Sequence, residues 1–338
     1  MPTIKDVAKH TGLAYATISK YLNGGNVLPQ NREKIDFAIK ELNFTVNEFA
    51  RGLKTNKSNT VGIIIPDISN VYVAQTIPII VDELRKNGYA TIICDSRSDH
   101  QRESELVRFL MAKRVDGIIN MPVGADGSHL YASLESGIPV VLLDRIVSDC
   151  IGQVDAVLVD NMRAAQDATS YLIQQGHANI GIIAGPKDVT TAMDRLSGYI
   201  FTLKKNNIEV KESLIEHSDF SNESGYRACK KLLYNNTDMT AIFATNYDVT
   251  VGAMMAINEY GLSVPDDLSV FGFDDMPFAK VIKPHLSVIA QPIGDIGKYA
   301  SQALLDRMSG KKDEPVNITV LRTQTILRDS VAPPANKK

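Results

Sequence analysis

The chain has 338 residues, 44% of them hydrophobic and 22% charged, which is typical of a soluble globular protein with two or three domains. No apolar run is long enough to span a bilayer, and no secretory apolar segment stands at the N-terminus, so we expect a cytoplasmic protein with no membrane partner. The three cysteines are far apart, and their odd number argues against a disulfide framework.

The charge is unevenly distributed along the chain. Residues 1–60 contain nine Lys and Arg against five Asp and Glu, a balance of +4, while the whole chain carries −3, so the remainder carries −7. A small basic segment on an acidic body indicates contact with a polyanion. A basic face that is merely solvated explains the charge equally well.

Residues 1–60 predict short helices, because apolar side chains recur there with a helical period. Thr3 and Asp6 form a candidate capping box, and Gly12 supplies a turn between the first two helices. Two short helices joined by such a turn form a helix-turn-helix, whose second helix can enter the major groove of DNA. A helical bundle that binds protein has the same pattern.

The second helix is expected to expose one face to DNA. Its first turn, with Tyr15 and Ala16, enters the groove deepest and is best placed to read bases, although Ala16 offers only a methyl group. Thr17, Asn31 and the lysines suit phosphates. The candidate DNA contacts in this region are Thr3, Tyr15, Ala16, Thr17, Ser19, Lys20, Asn23 and Asn31.

From residue 60 onward, short apolar runs alternate with longer amphipathic segments, which predicts parallel sheets covered by helices. The runs span residues 61–65, 90–94, 117–121, 140–143, 156–159, 180–184, 240–244 and 269–273. About 270 residues of this pattern exceed one compact core, so we expect a body of two lobes.

Polar side chains follow several of these runs, namely Asp67, Asp144, Asp160, Asn161, Asn246 and Asp274. Ligands of parallel sheets bind beyond the carboxyl ends of the strands. Carboxylates and amides converging there would suit a polyhydroxylated ligand. Each of these residues could instead cap the helix that follows it.

The string TIKDVAKHTGLAYATISKYLNG, at residues 3–24, resembles the N-terminal signature of the lactose-repressor (LacI/GalR) family. The similarity continues through KELNFTVNEFARGLKTNKSNTVGIIIPDISN and GLSVPDDLSVFGFDD, and it covers the whole chain in order. The resemblance implies a small all-α helix-turn-helix head and a two-lobed α/β body with parallel sheets, like a periplasmic binding protein.

The resemblance also implies a domain organisation. It places the head at 1–46, a hinge helix and linker at 47–58, the effector-binding and dimerisation body at 59–331 and a tail at 332–338. Lobe one is expected at approximately 59–160 and 290–320, and lobe two at approximately 161–289 and 321–331.

In this family the segment matching residues 47–55 folds into a helix only when two subunits meet on operator DNA. Leu53 matches the leucine that enters the minor groove and kinks the duplex, and Asn47 and Ala50 are expected to contact DNA beside it. A segment this short that contains Gly52 is not a stable helix alone, which suits a switch.

The family's effector positions fall on Tyr72, Asp144, Arg195, Phe220, Asn246, Asp274 and Gln291. Arg195 would clamp ligand oxygens, and Phe220 would stack on an apolar sugar face. Tyr247 stands where the family usually has an aspartate, and Val73 where a second aromatic is frequent, so the ligand is expected to differ from that of better-known members.

Other functional classes are less well supported. The sequence contains no nucleophile elbow, phosphate loop or clustered metal-ligand spacing, so we expect no enzyme activity, no cofactor and no metal. An exported solute-binding protein would lack residues 1–55, a sugar-processing enzyme would need a catalytic constellation, and a protein-interaction module would not need Leu53. We therefore predict a homodimeric repressor of carbohydrate uptake or catabolism genes that binds double-stranded operator DNA under control of a sugar or sugar derivative.

Overall fold

The computed structural model describes residues 2–45, 57–310 and 314–335. The chain divides into two compact units, Met1–Asn59 and Thr60–Lys338. Three of the predicted DNA contacts, Asn47, Ala50 and Leu53, lie outside the described residues, and so does most of the predicted hinge.

The first unit contains helices α1 (Ile4–Thr11), α2 (Tyr15–Leu22) and α3 (Pro29–Glu41). At the start of α1, the Thr3 N–H and hydroxyl both donate to the Asp6 carboxylate, at 2.7 and 2.8 Å. Gly12 ends α1 with a left-handed φ of 71°, a conformation that glycine adopts without strain. Three helices this short are held together by one apolar core, formed by Val7, Ile18, Ile35, Ala38 and Phe44.

The second unit contains two six-stranded sheets. The first has the order β11-β5-β4-β3-β1-β2 and is parallel throughout. Its strands are β1 (Thr60–Ile65), β2 (Ala90–Asp95), β3 (Gly117–Asn120), β4 (Val140–Leu143), β5 (Asp155–Val159) and β11 (Ile318–Leu321).

The second sheet has the order β12-β10-β9-β8-β6-β7, in which only the edge pair β10 and β12 is antiparallel. Its strands are β6 (Ile180–Ala184), β7 (Ile215–His217), β8 (Ala241–Ala244), β9 (Ser269–Phe273), β10 (Ser287–Ala290) and β12 (Gln324–Ile326). Each sheet with its helices is called a lobe below.

Helices cover both faces of each sheet, as the alternating sequence pattern predicts. The first lobe contains α4 (Val71–Lys86), α5 (His100–Ala112), α6 (Tyr131–Glu135) and α12 (Ile293–Met308). The second contains α7 (Asn161–Gln174), α8 (Thr190–Lys205), α9 (Asn222–Asn235), α10 (Tyr247–Glu259) and α11 (Pro277–Val281). The near-continuous burial of β1, β3, β4, β6, β8 and β9 follows from this two-sided cover.

The chain passes between the lobes three times, from β5 to α7, from β10 to α12 and from β11 to β12. The carboxyl ends of both sets of parallel strands therefore border the crossings. Among the described residues, no helix is long and apolar enough to cross a membrane. Cys94, Cys150 and Cys229 are buried free thiols.

The sequence patterns did not predict β7, β10, β11 and β12. Three of these, β7, β11 and β12, lie at sheet edges and are only partly buried. Strands of three or four residues with half-exposed side chains carry no apolar run long enough to detect.

Candidate ligand cleft and nucleic-acid interface

Two aspartates occupy equivalent turns at the ends of β4 and β9. Asp144 and Asp274 have left-handed φ values of 67° and 72°, which aspartate tolerates better than most residues. Each donates its backbone N–H to the neighbouring strand, Asp144 to the Val157 carbonyl at 3.0 Å and Asp274 to the Ile289 carbonyl at 2.7 Å. The same backbone geometry therefore directs one carboxylate from each lobe into a shared cavity.

This cavity, called the cleft below, has an empty volume of about 510 Å³ when its open mouth is included. All seven sequence-predicted effector residues line it. The lining residues are Pro66, Asn70, Tyr72, Val73, Met121, Asp144, Arg145, Thr191, Arg195, Phe220, Asn246, Tyr247, Asp274 and Gln291.

Arg195, on α8, is a rigidly held buried cation with 4% of its surface exposed. Its Nε donates to Asn161 Oδ1 at 2.8 Å, and its Nη1 donates to the Thr245 carbonyl at 2.5 Å. The guanidinium carbon lies 3.7 Å from the centroid of the Phe273 ring. Burial lowers the pKa of Arg195, but a guanidinium keeps its proton in proteins, so the positive charge remains.

Asp274 faces Arg195 from the end of β9 and is 5% exposed. It accepts a hydrogen bond from Gln291 Nε2 at 2.7 Å and one from the Tyr247 N–H at 3.3 Å. Burial raises the pKa of Asp274, and the Arg195 charge opposes that rise. The cleft therefore contains a buried guanidinium and a buried carboxyl group that interact electrostatically.

Three buried polar atoms of the cleft have no hydrogen-bond partner among the described residues. They are the Tyr72 hydroxyl, Arg145 Nε and Gln291 Oε1. Buried polar groups are almost always hydrogen-bonded, and an unpaired one carries a free-energy cost. Each of these atoms can therefore form a hydrogen bond with a molecule bound in the cleft.

Arg145 connects the cleft to a loop of the first lobe. Its Nη1 donates to the Pro122 and Val123 carbonyls, both at 3.0 Å. Its Nε lies 3.5 Å from the Asp144 carboxylate. The sequence patterns did not identify Arg145, since an arginine after a strand-end aspartate is not unusual.

A buried carboxyl group also accepts a hydrogen bond from this loop. Glu103, on α5, has no exposed surface, and it accepts from Asn120 Nδ2 and the Val123 N–H, both at 3.2 Å. His129 Nε2 lies 3.5 Å from Glu103 Oε1. Burial raises the pKa of Glu103 to about 7 and lowers that of His129.

The strand-end polar residues divide into two groups. Asp67 accepts from the Ser69 N–H at 2.7 Å, and Asp160 from the Arg163 N–H at 3.0 Å, so both act as local caps outside the cleft. Asn246 has both roles, because it lines the cleft and also accepts from the Val249 N–H at 2.8 Å. Capping was the alternative that the sequence left open.

Phe220 reaches the cleft because Gly185 has no side chain. A Cβ on Gly185 would lie 2.2 Å from Phe220 Cζ, which is too close for any larger residue in this arrangement. Asn246 Nδ2 donates to the Phe220 carbonyl at 3.2 Å and fixes the turn in which Phe220 has a φ of 68°.

In the head, α2 exposes the face that the sequence predicts, with Ile18 buried and Tyr15 52% exposed. A surface groove runs beside it, lined by Ala16, Thr17, Lys20, Asn26, Val27, Leu28, Pro29, Asn31, Arg32 and Glu33. Four of the predicted DNA contacts thus lie along one groove, and Arg32 is a cation there that the sequence patterns did not identify.

Two of the other predicted contacts of the head, Thr3 and Asn23, have local partners. Thr3 is bonded to Asp6, and Asn23 Nδ2 donates to the Ser19 carbonyl at 2.7 Å, which closes the C-terminus of α2. Gly25 is constrained by Lys20, since a Cβ on Gly25 would lie 2.6 Å from Lys20 Cγ.

Comparison with known proteins places the chain in a family. Residues 3–47 match bacterial regulatory proteins of the lacI family, and residues 169–331 match a periplasmic binding protein-like domain. Catabolite control protein A of Priestia megaterium is 35% identical over 309 residues, covering 91% of this chain and 92% of that protein. The HTH-type transcriptional repressor PurR of Proteus mirabilis is 34% identical over 98% of this chain and 97% of its own length.

Solved structures agree with this assignment. The lac repressor dimer bound to operator and the anti-inducer ONPF superposes with a TM-score of 0.88 at 26% identity, covering 98% of this chain and 99% of that one. The complex of the transcriptional regulator CelR with cellobiose gives a TM-score of 0.75 at 29% identity, covering 98% and 100%. The chain therefore belongs to the LacI family of DNA-binding transcriptional repressors regulated by small-molecule effectors.

Proposed function

We propose that this protein is a cytoplasmic, homodimeric repressor of genes for carbohydrate uptake or catabolism and has no catalytic activity. In this proposal a sugar or sugar derivative bound in the cleft sets the affinity of the protein for its operator. One observation carries the ligand class: Arg195 and Asp274 are buried in a cavity beside the unpaired Tyr72 hydroxyl and Gln291 Oε1. Hydroxyl groups can both donate and accept, so a polyhydroxylated ligand matches this mixed set.

The other lining residues support the same ligand class. Phe220 offers an aromatic face against which the apolar face of a sugar ring can pack, while Asp144 and Asn246 supply further polar atoms. Two structural neighbours of the same family, both 29% identical to this chain, contain cellobiose and ribose respectively.

The head is proposed to bind operator DNA through α2 and its groove. Tyr15 and Ala16 would meet base edges in the major groove, and Thr17, Lys20 and Asn31 would contact phosphates. The proposed organisation is a head at 1–46, a hinge region at 47–58 and a body at 59–331, and the boundary between the units Met1–Asn59 and Thr60–Lys338 supports the start of the body.

The cleft can act as a switch because its charged residues come from both lobes. Asp144 belongs to the first lobe, whereas Arg195 and Asp274 belong to the second. A ligand that forms hydrogen bonds with both lobes favours one arrangement of the two lobes. It changes operator affinity to the extent that it binds the operator-binding and the operator-free conformations with different affinities. The proposed readout is the hinge around Leu53 in the two subunits.

A sugar screen with the full-length protein tests this function. A ligand present at about 100 times its dissociation constant should stabilise the protein by about 2.7 kcal/mol and should change operator affinity in a fluorescence anisotropy assay. Arg195→Ala removes the hydrogen bond to Asn161 and a buried positive charge of the cleft, so the variant should bind that ligand at least about 10-fold more weakly and still bind operator.

Asp160→Asn is the matched control, because Asp160 follows β5 at the same end of the sheet but only caps α7. This variant should bind the sugar and the operator with the affinities of the wild-type protein. A panel in which no sugar stabilises the protein, or a bound sugar that leaves operator affinity unchanged, would contradict the proposal.

A further inference from the structure

One peptide unit separates Arg145, which lines the cleft, from the buried carboxyl group of Glu103. Arg145 Nη1 donates to the Pro122 carbonyl at 3.0 Å. The N–H of that same peptide unit belongs to Val123, and it donates to Glu103 Oε1 at 3.2 Å. The guanidinium and the carboxyl group therefore hold opposite ends of one peptide dipole.

The two hydrogen bonds of this peptide unit reinforce each other, because each one polarises the group that makes the other. An N–H bonded to a carboxylate also makes a stronger bond than an N–H bonded to a neutral oxygen. Ionised Glu103 should therefore make the Pro122 carbonyl a better acceptor for Arg145. Glu103 itself does not line the cleft, so any influence on a ligand acts through the loop.

The loop is also what fixes Arg145. Its hydrogen bonds to described residues go to the Pro122 and Val123 carbonyls, both at 3.0 Å. Its Nε is buried without a hydrogen-bond partner among those residues and lies 3.5 Å from the Asp144 carboxylate. The position of this guanidinium in the cleft therefore depends on how firmly the loop is held.

Glu103 can change its charge near neutral pH. Burial raises the pKa of Glu103 to about 7, although the hydrogen bonds from Asn120 and Val123 oppose the rise. His129 lies beside it, and burial lowers the pKa of His129. The charged and titratable groups that face these two residues are Arg145, Asp126, His100 and Asp149.

Asn120 allows both protonation states of Glu103 to form hydrogen bonds. Its Nδ2 lies 3.2 Å from Glu103 Oε1 and 3.1 Å from His129 Nε2. An amide nitrogen only donates, so this arrangement fits an ionised Glu103 and a neutral His129 that accepts through Nε2. Asn120 Oδ1 is buried without a partner among the described residues. A half-turn of the amide would present this oxygen to a protonated Glu103, which could donate to it.

We propose that Glu103 is a positioning residue for the effector site. Its carboxylate holds the Pro122–Val123 peptide, the peptide holds Arg145, and effector affinity is therefore higher when Glu103 is ionised. The inference rests on the proposed function, because it takes the cleft to be the effector site. A guanidinium that is already held in place loses less freedom when the ligand binds. By linkage, the effector must in turn favour the ionised form and displace the proton of Glu103.

The first test needs no ligand. The Nε–H resonance of Arg145 can be followed by nitrogen-15 NMR in the full-length protein, with Arg145→Lys to identify the signal. In the wild type this resonance should shift with a midpoint at about pH 7, the pKa of Glu103. In Glu103→Gln the shift should disappear. A resonance that does not respond to pH in the wild type, or that responds equally in both proteins, overturns the positioning.

The second test measures affinity by calorimetry, with ribose and cellobiose as the probes. The wild type should bind its sugar about 5-fold more tightly at about pH 8.5 than at about pH 6, and should release protons at about pH 7. Two buffers of different ionisation enthalpy measure that release. Glu103→Gln should lose most of this dependence and bind at about pH 8.5 as weakly as the wild type binds in acid. Its amide cannot ionise and so costs no stability at high pH, which separates weaker binding from unfolding.

A pH-independent affinity in the wild type, or the same dependence in Glu103→Gln, overturns the inference and leaves the proposed function intact. Binding of neither sugar counts against the proposed function, and the Arg145 resonance then decides the positioning alone.

Glu105→Gln is the matched control, because it makes the same change on the same helix. Glu105 is exposed, and its Oε1 accepts from Gln101 Nε2 at 3.1 Å. This variant should match the wild type in both tests. A loss of the pH dependence in Glu105→Gln would show that any carboxylate of α5 has this effect, and would overturn the assignment to Glu103.

Asp248→Asn controls for a second acid near the cleft. Asp248 follows Tyr247 in the first turn of α10, and its pKa is raised to about 6 by burial and by the charges of Asp274 and Asp67. Its removal should leave the proton release at about pH 7 and the shift of the Arg145 resonance unchanged. Loss of both in Asp248→Asn but not in Glu103→Gln would assign the effect to Asp248 instead.

Discussion

Replacement of Glu103 by glutamine should stabilise the protein above neutral pH. Glu103 is fully buried behind the loop that Arg145 holds, and it accepts from Asn120 and the Val123 N–H. Glutamine has the same shape and keeps one oxygen for these donors. Unlike the carboxyl group, its amide cannot ionise, so the variant removes a buried charge.

The size and sign of this effect follow from the pKa of the carboxyl. Burial raises that pKa from 4.5 to about 7, and at about 1.4 kcal/mol for each pH unit the difference is about 3 kcal/mol. The folded protein retains a proton that the unfolded chain releases from about pH 4.5 upward. The contribution of Glu103 to stability is therefore greatest below about pH 4.5 and is lost as the pH rises through 7.

Urea unfolding followed by far-ultraviolet circular dichroism measures this difference, since the chain contains no tryptophan. The two proteins should have similar free energies of unfolding near pH 4.5, and Glu103→Gln should be more stable by up to about 3 kcal/mol near pH 8. Burial also lowers the pKa of His129, so this residue makes the folded state less stable as the pH falls. Both proteins contain His129, and its effect therefore largely cancels in the difference between their free energies of unfolding. Equal stability near pH 8, or a difference independent of pH, would refute the reasoning.

Three further substitutions test the cleft, the head and the hinge. Asn161→Ala removes the acceptor of Arg195 Nε, so it should weaken effector binding by about 5-fold or more in calorimetry; unchanged affinity would show that Asn161 does not position Arg195. Lys20→Ala should lower the salt dependence of DNA binding by about one unit in log–log slope on all sequences alike, and a loss confined to one sequence would instead assign Lys20 to a base. Leu53→Ala should reduce operator affinity and DNA bending in gel-shift assays while sparing effector affinity and binding to random DNA; equal losses on both DNAs would exclude the hinge mechanism.

Structural features that depend only on residues close together along the chain could be predicted from the sequence alone. The helices of the head follow from apolar positions three and four residues apart, and Gly12 ends α1 because glycine adopts the left-handed turn without strain. The buried strands of both sheets appear as apolar runs because helices cover them on both faces. Edge strands such as β11 and β12 escaped prediction, since half-exposed segments of this length carry too little apolar character.

The roles of the strand-end residues were decided only by tertiary structure. Asp67, Asp144, Asp160 and Asp274 all follow apolar runs, but only Asp144 and Asp274 enter the left-handed turns that project a carboxylate into the cleft. The other two cap local backbone N–H groups. A strand-end aspartate can adopt either backbone conformation, and the apolar run before it does not distinguish the two.

Only the tertiary structure likewise decided the hydrogen-bond partners of the two arginines that line the cleft. The hydrogen bond between Arg195 and Asn161 joins residues 34 positions apart, and those that join Arg145 to the loop of Val123 span 22 and 23 positions. No local pattern encodes such pairs, because the fold brings them together from separate helices, strands and loops. The sequence could therefore indicate which residues line the cleft, whereas their hydrogen-bond partners and their unpaired atoms follow from packing in three dimensions.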